Sequence, residues 1–203
     1  LTQYGYNSTG KIASETNARG FTTQYKYDVL GRLIWVDEPL GIVTKHEYDE
    51  KGNEIKLTNP NGHTTTWEHD HVGRVVRHIL PLGQEESFTY DSNGNVVRHT
   101  NFNGETIERS YDSINRLISK LYQDGTEVTY TYTPEGREDQ VTDIRGVTDH
   151  DYDSRGRLVN VTNPDGSWLN YTYDAYGNRI SVAHEGGTTH YTFDPNNRMA
   201  TVN

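Results

Sequence analysis

The chain repeats one short motif with a period of about 21 residues. Eight copies hold an aromatic residue or His, an Asp, two variable residues, a Gly or Asn, and then a basic or amide residue, and two degenerate copies have Asn7 or Thr133 in place of the Asp. The aromatic position recurs at residues 6, 27, 48, 69, 90, 111, 132, 152, 173 and 193, so six steps of 21 are followed by steps of 20, 21 and 20. A fixed period of this length is typical of repeat architectures. Such arrays usually present a surface or a container and not a single reaction centre.

One repeat is predicted to be a β-hairpin unit with two turns. In residues 41–62, for example, strands over 41–48 and 53–58 are each followed by a turn. Asp at the first turn position and Gly at the fourth fit a type I turn, in which the carboxylate accepts backbone N–H groups and Gly supplies a positive φ. We assign this structural turn role to Asp28, Gly31, Asp49, Gly52, Asp70, Gly73, Asp91, Gly94, Asp112, Asp153, Gly156, Asp174, Gly177 and Asp194.

The strand before each Asp alternates aromatic and polar residues, as in Tyr25-Lys26-Tyr27. This period of two is typical of half-buried antiparallel strands, and no helical stripe of useful length competes with it. The sequence therefore predicts an all-β fold, a tandem array of about ten antiparallel hairpin units over residues 1–203. Since open sheets rarely exceed about ten strands without curling, we expect the sheet to spiral. We also expect the array to be a segment of a longer one.

Composition excludes several classes of protein. The net charge of −10 argues against a nucleic-acid partner, which requires clustered Lys and Arg. No stretch approaches the roughly 18 apolar residues of a membrane span. Cysteine is absent, which excludes disulfides and thiolate metal sites. Only 32% of residues are hydrophobic, but 15 Tyr, 3 Trp and 4 Phe argue against a disordered chain.

The clearest copies of the motif Tyr-x-Tyr-Asp-x-x-Gly-Arg/Asn are residues 25–33 and 171–178, and Pro-x-Gly turns lie about midway between copies. In these features the whole chain resembles the YD repeat of the Rhs (rearrangement hotspot) family. That family includes bacterial polymorphic toxins, encapsulating subunits of insecticidal toxin complexes, wall-associated proteins and animal teneurins. The resemblance implies a β-hairpin ribbon wound into a hollow shell, which in bacterial members encloses a C-terminal toxin.

The resemblance also implies the partners and the location. The partners are an enclosed toxin or effector domain and neighbouring repeats of the same parent chain, with a secretion-system component as a further candidate. The location is secreted, translocated or at the cell surface, with a bacterial source favoured. Family members usually carry a self-cleaving Asp-Pro-x-Gly segment. Here Asp194-Pro195-Asn196-Asn197 lacks the Gly and reads as an ordinary turn, so no residue is assigned to autoproteolysis.

The Asp and His residues suggest metal sites, but their spacing argues against them. Equivalent residues in successive repeats lie two strands, or about 9.6 Å, apart, whereas calcium requires six to eight oxygens at about 2.3–2.6 Å. The same spacing separates His78 from His99, and His46, His69 and His150 occupy aromatic positions of the repeat. No nucleophile elbow, phosphate loop or zinc-protease motif occurs. The sequence therefore predicts a non-catalytic scaffold without a cofactor.

The regular row of aromatic rings leaves an alternative open. Rings at a pitch of about 9.6 Å are suited to stacking on sugars. Because aliphatic residues are scarce, the same rings are also needed to pack on one another as the hydrophobic layer of the sheet. The alternative function is a cell-surface module that binds carbohydrate or protein, and its candidate carbohydrate-binding residues are Tyr25, Tyr27, Tyr48, Trp67, Tyr90, Tyr171 and Tyr173. Trp35, Trp67 and Trp168 share no common phase, which weakens this reading.

Overall fold

The computed structural model describes all residues from Leu1 to Asn203, which form twenty β-strands in two compact units, Leu1–Thr106 and Ile107–Asn203. The first ten strands are β1 (Gln3–Tyr6), β2 (Ile12–Thr16), β3 (Thr22–Tyr27), β4 (Leu33–Glu38), β5 (Ile42–Tyr48), β6 (Glu54–Thr58), β7 (Thr64–His69), β8 (Val75–Ile79), β9 (Glu85–Tyr90) and β10 (Val96–Thr100). The others are β11 (Thr106–Tyr111), β12 (Leu117–Tyr122), β13 (Glu127–Tyr132), β14 (Glu138–Asp143), β15 (Gly146–Tyr152), β16 (Leu158–Thr162), β17 (Trp168–Tyr173), β18 (Arg179–His184), β19 (Gly187–Phe193) and β20 (Met199–Val202). The chain forms no helix long and apolar enough to cross a membrane.

Within each unit, consecutive strands pair antiparallel to form a meander. The pairs run from β1–β2 to β9–β10 in the first unit and from β11–β12 to β19–β20 in the second. The all-β prediction of tandem antiparallel hairpins is therefore confirmed. The local alternation of aromatic and polar residues was sufficient for that prediction because both hairpin strands are short and their turns are marked by Asp and Gly.

The hairpin that contains the Asp turn has a β-bulge at its base. In the β5–β6 hairpin, the Gly52 N–H donates to the Asp49 carbonyl at 3.2 Å, and the Asp49 N–H donates to the Asn53 carbonyl at 2.9 Å. Gly52 has φ 96°, so this is a type I turn followed by a residue in the left-handed region. The register then shifts between Glu47 and Tyr48, which leaves one extra residue on the returning strand.

Each unit is a single layer of strands. Within a unit, every strand packs only against its neighbours in the chain, and no hydrophobic side chain is fully buried. One surface, here called the aromatic face, carries residues such as Tyr25, Trp67 and Phe88, while the opposite face carries residues such as Lys26 and Trp35. Stability must therefore come from contacts between neighbouring strands and not from a central core.

Candidate functional site

The repeated Asp side chains close the turns. In the β3–β4 hairpin, Asp28 Oδ1 accepts the backbone N–H groups of Leu30 and Arg32, both at 2.9 Å. Its other oxygen, Oδ2, accepts Arg32 Nε–H at 2.6 Å. Both carboxylate oxygens are thus committed to the turn. The same two-residue and four-residue backbone contacts recur at Asp49, Asp70, Asp91, Asp112, Asp153, Asp174 and Asp194.

The residue four positions after the Asp completes the turn in one of two ways. Arg donates its guanidinium N–H to the carboxylate, as Arg74 does to Asp70 at 2.7 Å. Asn donates its side-chain amide, as Asn53 does to Asp49 at 2.7 Å. Desolvation alone would raise the pKa of the Asp70 carboxyl, but the backbone N–H and guanidinium of Arg74 lower it to about 2. The carboxylates are therefore charged and hydrogen-bonded at neutral pH.

The arginine of one turn also reaches the next repeat. Arg32 Nη1 donates to the Asp49 carbonyl at 2.9 Å, and the Arg32 guanidinium carbon lies 4.7 Å from the ring centroid of Tyr48. A cation over the face of an aromatic ring at this distance is attracted by the negative potential of that face. Guanidinium groups cover tyrosines of the following repeat in the same way at Arg74–Tyr90, Arg116–Tyr132, Arg137–Tyr152 and Arg157–Tyr173.

The tyrosine of one repeat in turn satisfies the bulge of the repeat before it. The Tyr48 hydroxyl donates to the carbonyl of Leu33 at 2.9 Å, and the Tyr90 hydroxyl donates to that of Val75 at 2.7 Å. Leu33 and Val75 each begin a returning strand, where the bulge interrupts the ladder and leaves backbone groups to be satisfied. The same bond is made by Tyr27, Tyr132, Tyr152 and Tyr173. Asp, Arg and Tyr of the motif therefore form one interlock between successive hairpins.

These contacts bear on the seven rings considered for carbohydrate stacking. Tyr27, Tyr48, Tyr90 and Tyr173 use their hydroxyls in the interlock, and a Lys or Arg side chain lies over each ring. Trp67 stacks on His78 with ring centroids 5.2 Å apart, and the Arg179 guanidinium lies 5.6 Å from the Tyr171 ring. Tyr25 is half-buried, and burial raises the pKa of its hydroxyl. Tyrosines were expected to pack on one another, but in this interlock they pack against cations.

The first unit contains a histidine cluster on the aromatic face that the sequence did not reveal. Glu86 on β9 lies between two strands and contacts both His78 Nδ1 at 3.0 Å and His99 Nε2 at 3.1 Å. His99 stacks on Phe88 with ring centroids 4.6 Å apart. Desolvation raises the pKa of Glu86, but the hydrogen bonds to the two histidines outweigh it and lower the pKa overall. The two imidazoles, expected to be independent at two-strand spacing, share one carboxylate.

Other histidines replace the tyrosine of the motif at some cost in hydrogen bonding. His69 occupies the tyrosine position of β7, and its Nδ1 is buried without a hydrogen-bond partner. His46 on β5 lies two residues before the interlock tyrosine Tyr48, which is retained, and pairs with Glu54 across the hairpin at 2.7 Å. An imidazole is too short to span to the preceding bulge as a tyrosine hydroxyl does. The interlock is thus absent at His69 and present on either side of it.

Comparison with known families agrees with this geometry. The Teneurin YD-shell family matches residues 1–151, which is most of the chain. This chain belongs to the Teneurin YD-shell family. The RHS Repeat family matches residues 152–189, so the resemblance predicted from the motif is confirmed across both units. Both families consist of structural repeats. No curated protein sequence matches the chain.

Solved structures share the YD-shell fold. The crystal structure of TcdB2-TccC3 superposes with a TM-score of 0.76 at 16% identity, covering 99% of this chain and 13% of that one. A TcdB2-TccC3-Cdc42 structure gives 0.59 at 16% identity, with coverage of 99% and 14%. The Photorhabdus luminescens Tc holotoxin pore gives 0.53 at 16% identity, with coverage of 99% and 13%. At this identity the likeness establishes the fold alone, and the chain spans about 13% of the length of the first of these.

Proposed function

We propose that this YD-shell chain is a non-catalytic wall segment of a longer protein that encloses a toxin or effector domain. The observation that carries the proposal is the interlock itself. Asp, Arg and Tyr are the residues of the motif best suited to chemistry, and all three are committed to backbone and side-chain contacts between repeats. The repeated residues named as turn formers therefore serve the wall and not a reaction.

A single-layer sheet suits a wall because it encloses a large volume with little chain. Each repeat locks the next through charge-assisted hydrogen bonds, so the array needs no second layer of strands to hold its register. The aromatic face would line the enclosed space, since it carries most of the rings and the opposite face carries paired charges such as Lys56–Glu47 at 2.8 Å. A cargo would be held by confinement and not by one specific pocket.

The partners and location follow from this role. The wall would contact an enclosed domain of the same protein and neighbouring repeats, and a secretion-system component is a candidate for delivery. Such a protein would act outside the cell that makes it, after secretion or translocation, with a bacterial source favoured. In the similar solved structures TcdB2 occurs together with TccC3, and one of them is a Tc holotoxin pore, which supports a toxin-type partner for shells of this fold.

The proposal is tested on the full-length parent protein by limited proteolysis. The segment that follows the repeats is expected to survive a protease concentration that digests the same segment expressed alone, because the wall excludes the enzyme. At a denaturant concentration that unfolds the wall but leaves the segment folded, this protection should be lost.

The free segment is the matched control, since it has the same cleavage sites without the wall. Equal digestion rates for the segment within the parent and the segment alone would contradict enclosure. Protection that persists after the wall has unfolded would also contradict enclosure, because the segment would then resist the protease through its own fold.

A further inference from the structure

The opposite face of the first unit contains a groove that the interlock does not use. It has a volume of about 320 Å³ and runs across β4, β5 and β6 to the turn that follows β6. Trp35 lies at one end and Asn59 and Pro60 at the other, with Lys45 and Thr58 between them. Two strand spacings separate β4 from β6, or about 10 Å, which is room for one or two sugar rings.

Three polar groups in the groove have no hydrogen-bond or ion-pair partner within the protein. Lys45 forms no ion pair, and neither the side-chain nitrogen Nδ2 of Asn59 nor the hydroxyl of Thr58 makes a hydrogen bond. The side-chain oxygen Oδ1 of Asn59, by contrast, closes the turn by accepting the backbone N–H groups of Asn61 and His63, both at 3.0 Å. The side-chain Nδ2 of Asn59 is therefore left as a hydrogen-bond donor.

The indole at the end of the groove lies among cations. Lys26 reaches it from β3, with Nζ 4.0 Å from the ring centroid, and Lys45 is its cross-strand partner on β5. Neither lysine has a carboxylate partner, although the chain carries a net charge of −10. Two residues further along these strands lie Asp37 and Glu47, and Glu47 is paired with Lys56 at 2.8 Å. The groove is thus a local site of positive charge beside an aromatic ring.

The fold does not require these residues. In the second unit, Gln140 and Asp149 pair across β14 and β15 as Trp35 and Lys45 pair across β4 and β5. There the Gln140 amide simply donates to the Asp149 carboxylate at 2.8 Å. At the Trp35 position of successive repeats the chain has no other aromatic residue: the equivalents are Lys56, Arg77, Arg98, Ser119, Gln140, Asn160 and Ser181. A repeat folds without the indole and the lysine, so their presence calls for another explanation.

We propose that this groove binds an anionic saccharide. The exposed side of the indole would stack on the C–H face of one sugar ring, as aromatic side chains do at recognition sites. The Lys45 ammonium would pair with a carboxylate or sulfate on the saccharide, with Lys26 adding to the positive field. Asn59 and Thr58 would hydrogen-bond to hydroxyls of the adjoining ring. Because the site lies on the face opposite the proposed lumen, it serves attachment to a surface and is independent of enclosure.

The test is calorimetric titration of the parent protein with tetragalacturonate, a heparin tetrasaccharide and maltotetraose. We expect the two anionic probes to bind and the neutral maltotetraose to bind at least about tenfold more weakly, since it lacks the charge that Lys45 pairs with. Tetragalacturonate carries carboxylates alone, so its binding would show that a carboxylate suffices, whereas binding of the heparin tetrasaccharide alone would show that sulfate is required. Binding of the anionic probes should weaken as salt is added.

Variants separate this site from general charge effects. Trp35→Ala should weaken binding about tenfold or more, and Lys45→Gln should weaken it and reduce its salt dependence. Trp168→Ala is the matched control, because Trp168 also lies on the opposite face but pairs across the sheet with Thr162 and has no lysine partner in register. A thermal midpoint is measured for each variant, and the milder Lys45→Gln carries the test if Trp35→Ala does not fold.

Equal affinity of the native protein and both groove variants would overturn the proposal, as would the lack of any binding by the anionic probes. Equal affinity for maltotetraose would overturn the assignment of charge. If saccharide binding is absent but the enclosed segment is still protected from protease, the wall function stands. The two experiments therefore show separately which proposal has failed.

Discussion

Replacing Gly52 with valine is expected to lower the free energy of unfolding by about 2–3 kcal/mol, because the residue must adopt φ 96°. A β-branched side chain is least tolerant of this left-handed conformation. Space is not the limit, since a Cβ at Gly52 would approach no atom more closely than Arg32 Nη1 at 3.7 Å. The loss should appear as a lower urea midpoint of the aromatic fluorescence transition.

The chain itself supplies the control for this substitution. Asn115 and Asn197 hold the same turn position with φ 65° in each case. Gly52→Asn is therefore expected to cost less than about 1 kcal/mol, because Asn tolerates the left-handed region. Equal stability of the Val and Asn variants would show that the backbone at this turn is not held in a left-handed conformation.

Replacing Arg74 with methionine should cost about 1–2 kcal/mol, since methionine keeps much of the apolar stem but removes the guanidinium. That group donates to Asp70 at 2.7 Å and to the Asp91 carbonyl at 3.4 Å, and lies 4.4 Å from the ring of Tyr90. One substitution thus weakens a turn and its link to the next repeat. The measurement is the unfolding midpoint, together with the pKa of the Asp70 carboxyl by NMR, which should rise from about 2.

Arg145 is the control for Arg74. Arg145 lies within the array and pairs with Asp143 in a turn at 2.6 Å, but its side chain is 76% exposed and covers no tyrosine. Arg145→Met is expected to cost well under about 1 kcal/mol, as exposed ion pairs do. Similar losses at both positions would mean that the contact between repeats contributes nothing beyond the turn.

The turn chemistry and the strand order could be predicted from the sequence because both depend on residues close together in the chain. Asp28 contacts Leu30 and Arg32, and each strand pairs with the next one. The interlock could not be predicted in this way. The contact of Arg32 with Tyr48 depends on the extra residue of the bulge, which sets the direction of side chains beyond it.

Two clusters of side chains could not be predicted from the sequence, each for a different reason. His78 and His99 were judged by strand spacing alone, which ignored that the Glu86 side chain on the strand between them is long enough to reach both. Trp35, Trp67 and Trp168 share no common phase, so the repeat pattern did not mark Trp35 as part of a site. The available signal was that Trp35 is the neighbour of Val36, which pairs with Tyr25. Neighbouring residues of a strand lie on opposite faces of the sheet, so Trp35 lies on the face opposite Tyr25.

The measurement that tests the account most directly compares the two faces of β7 in the full-length parent. Thr65 and Thr66 are neighbours of the same residue type, both half-buried, with Thr65 on the aromatic face and Thr66 on the opposite face. This chain has no cysteine, so Thr65→Cys and Thr66→Cys each introduce one thiol into it. Any cysteines elsewhere in the parent are replaced beforehand. If the aromatic face lines an enclosed space, a bulky polymer-linked maleimide will label the Thr66→Cys protein readily and the Thr65→Cys protein only after denaturation. Equal labelling rates in the folded parent would contradict enclosure by this wall.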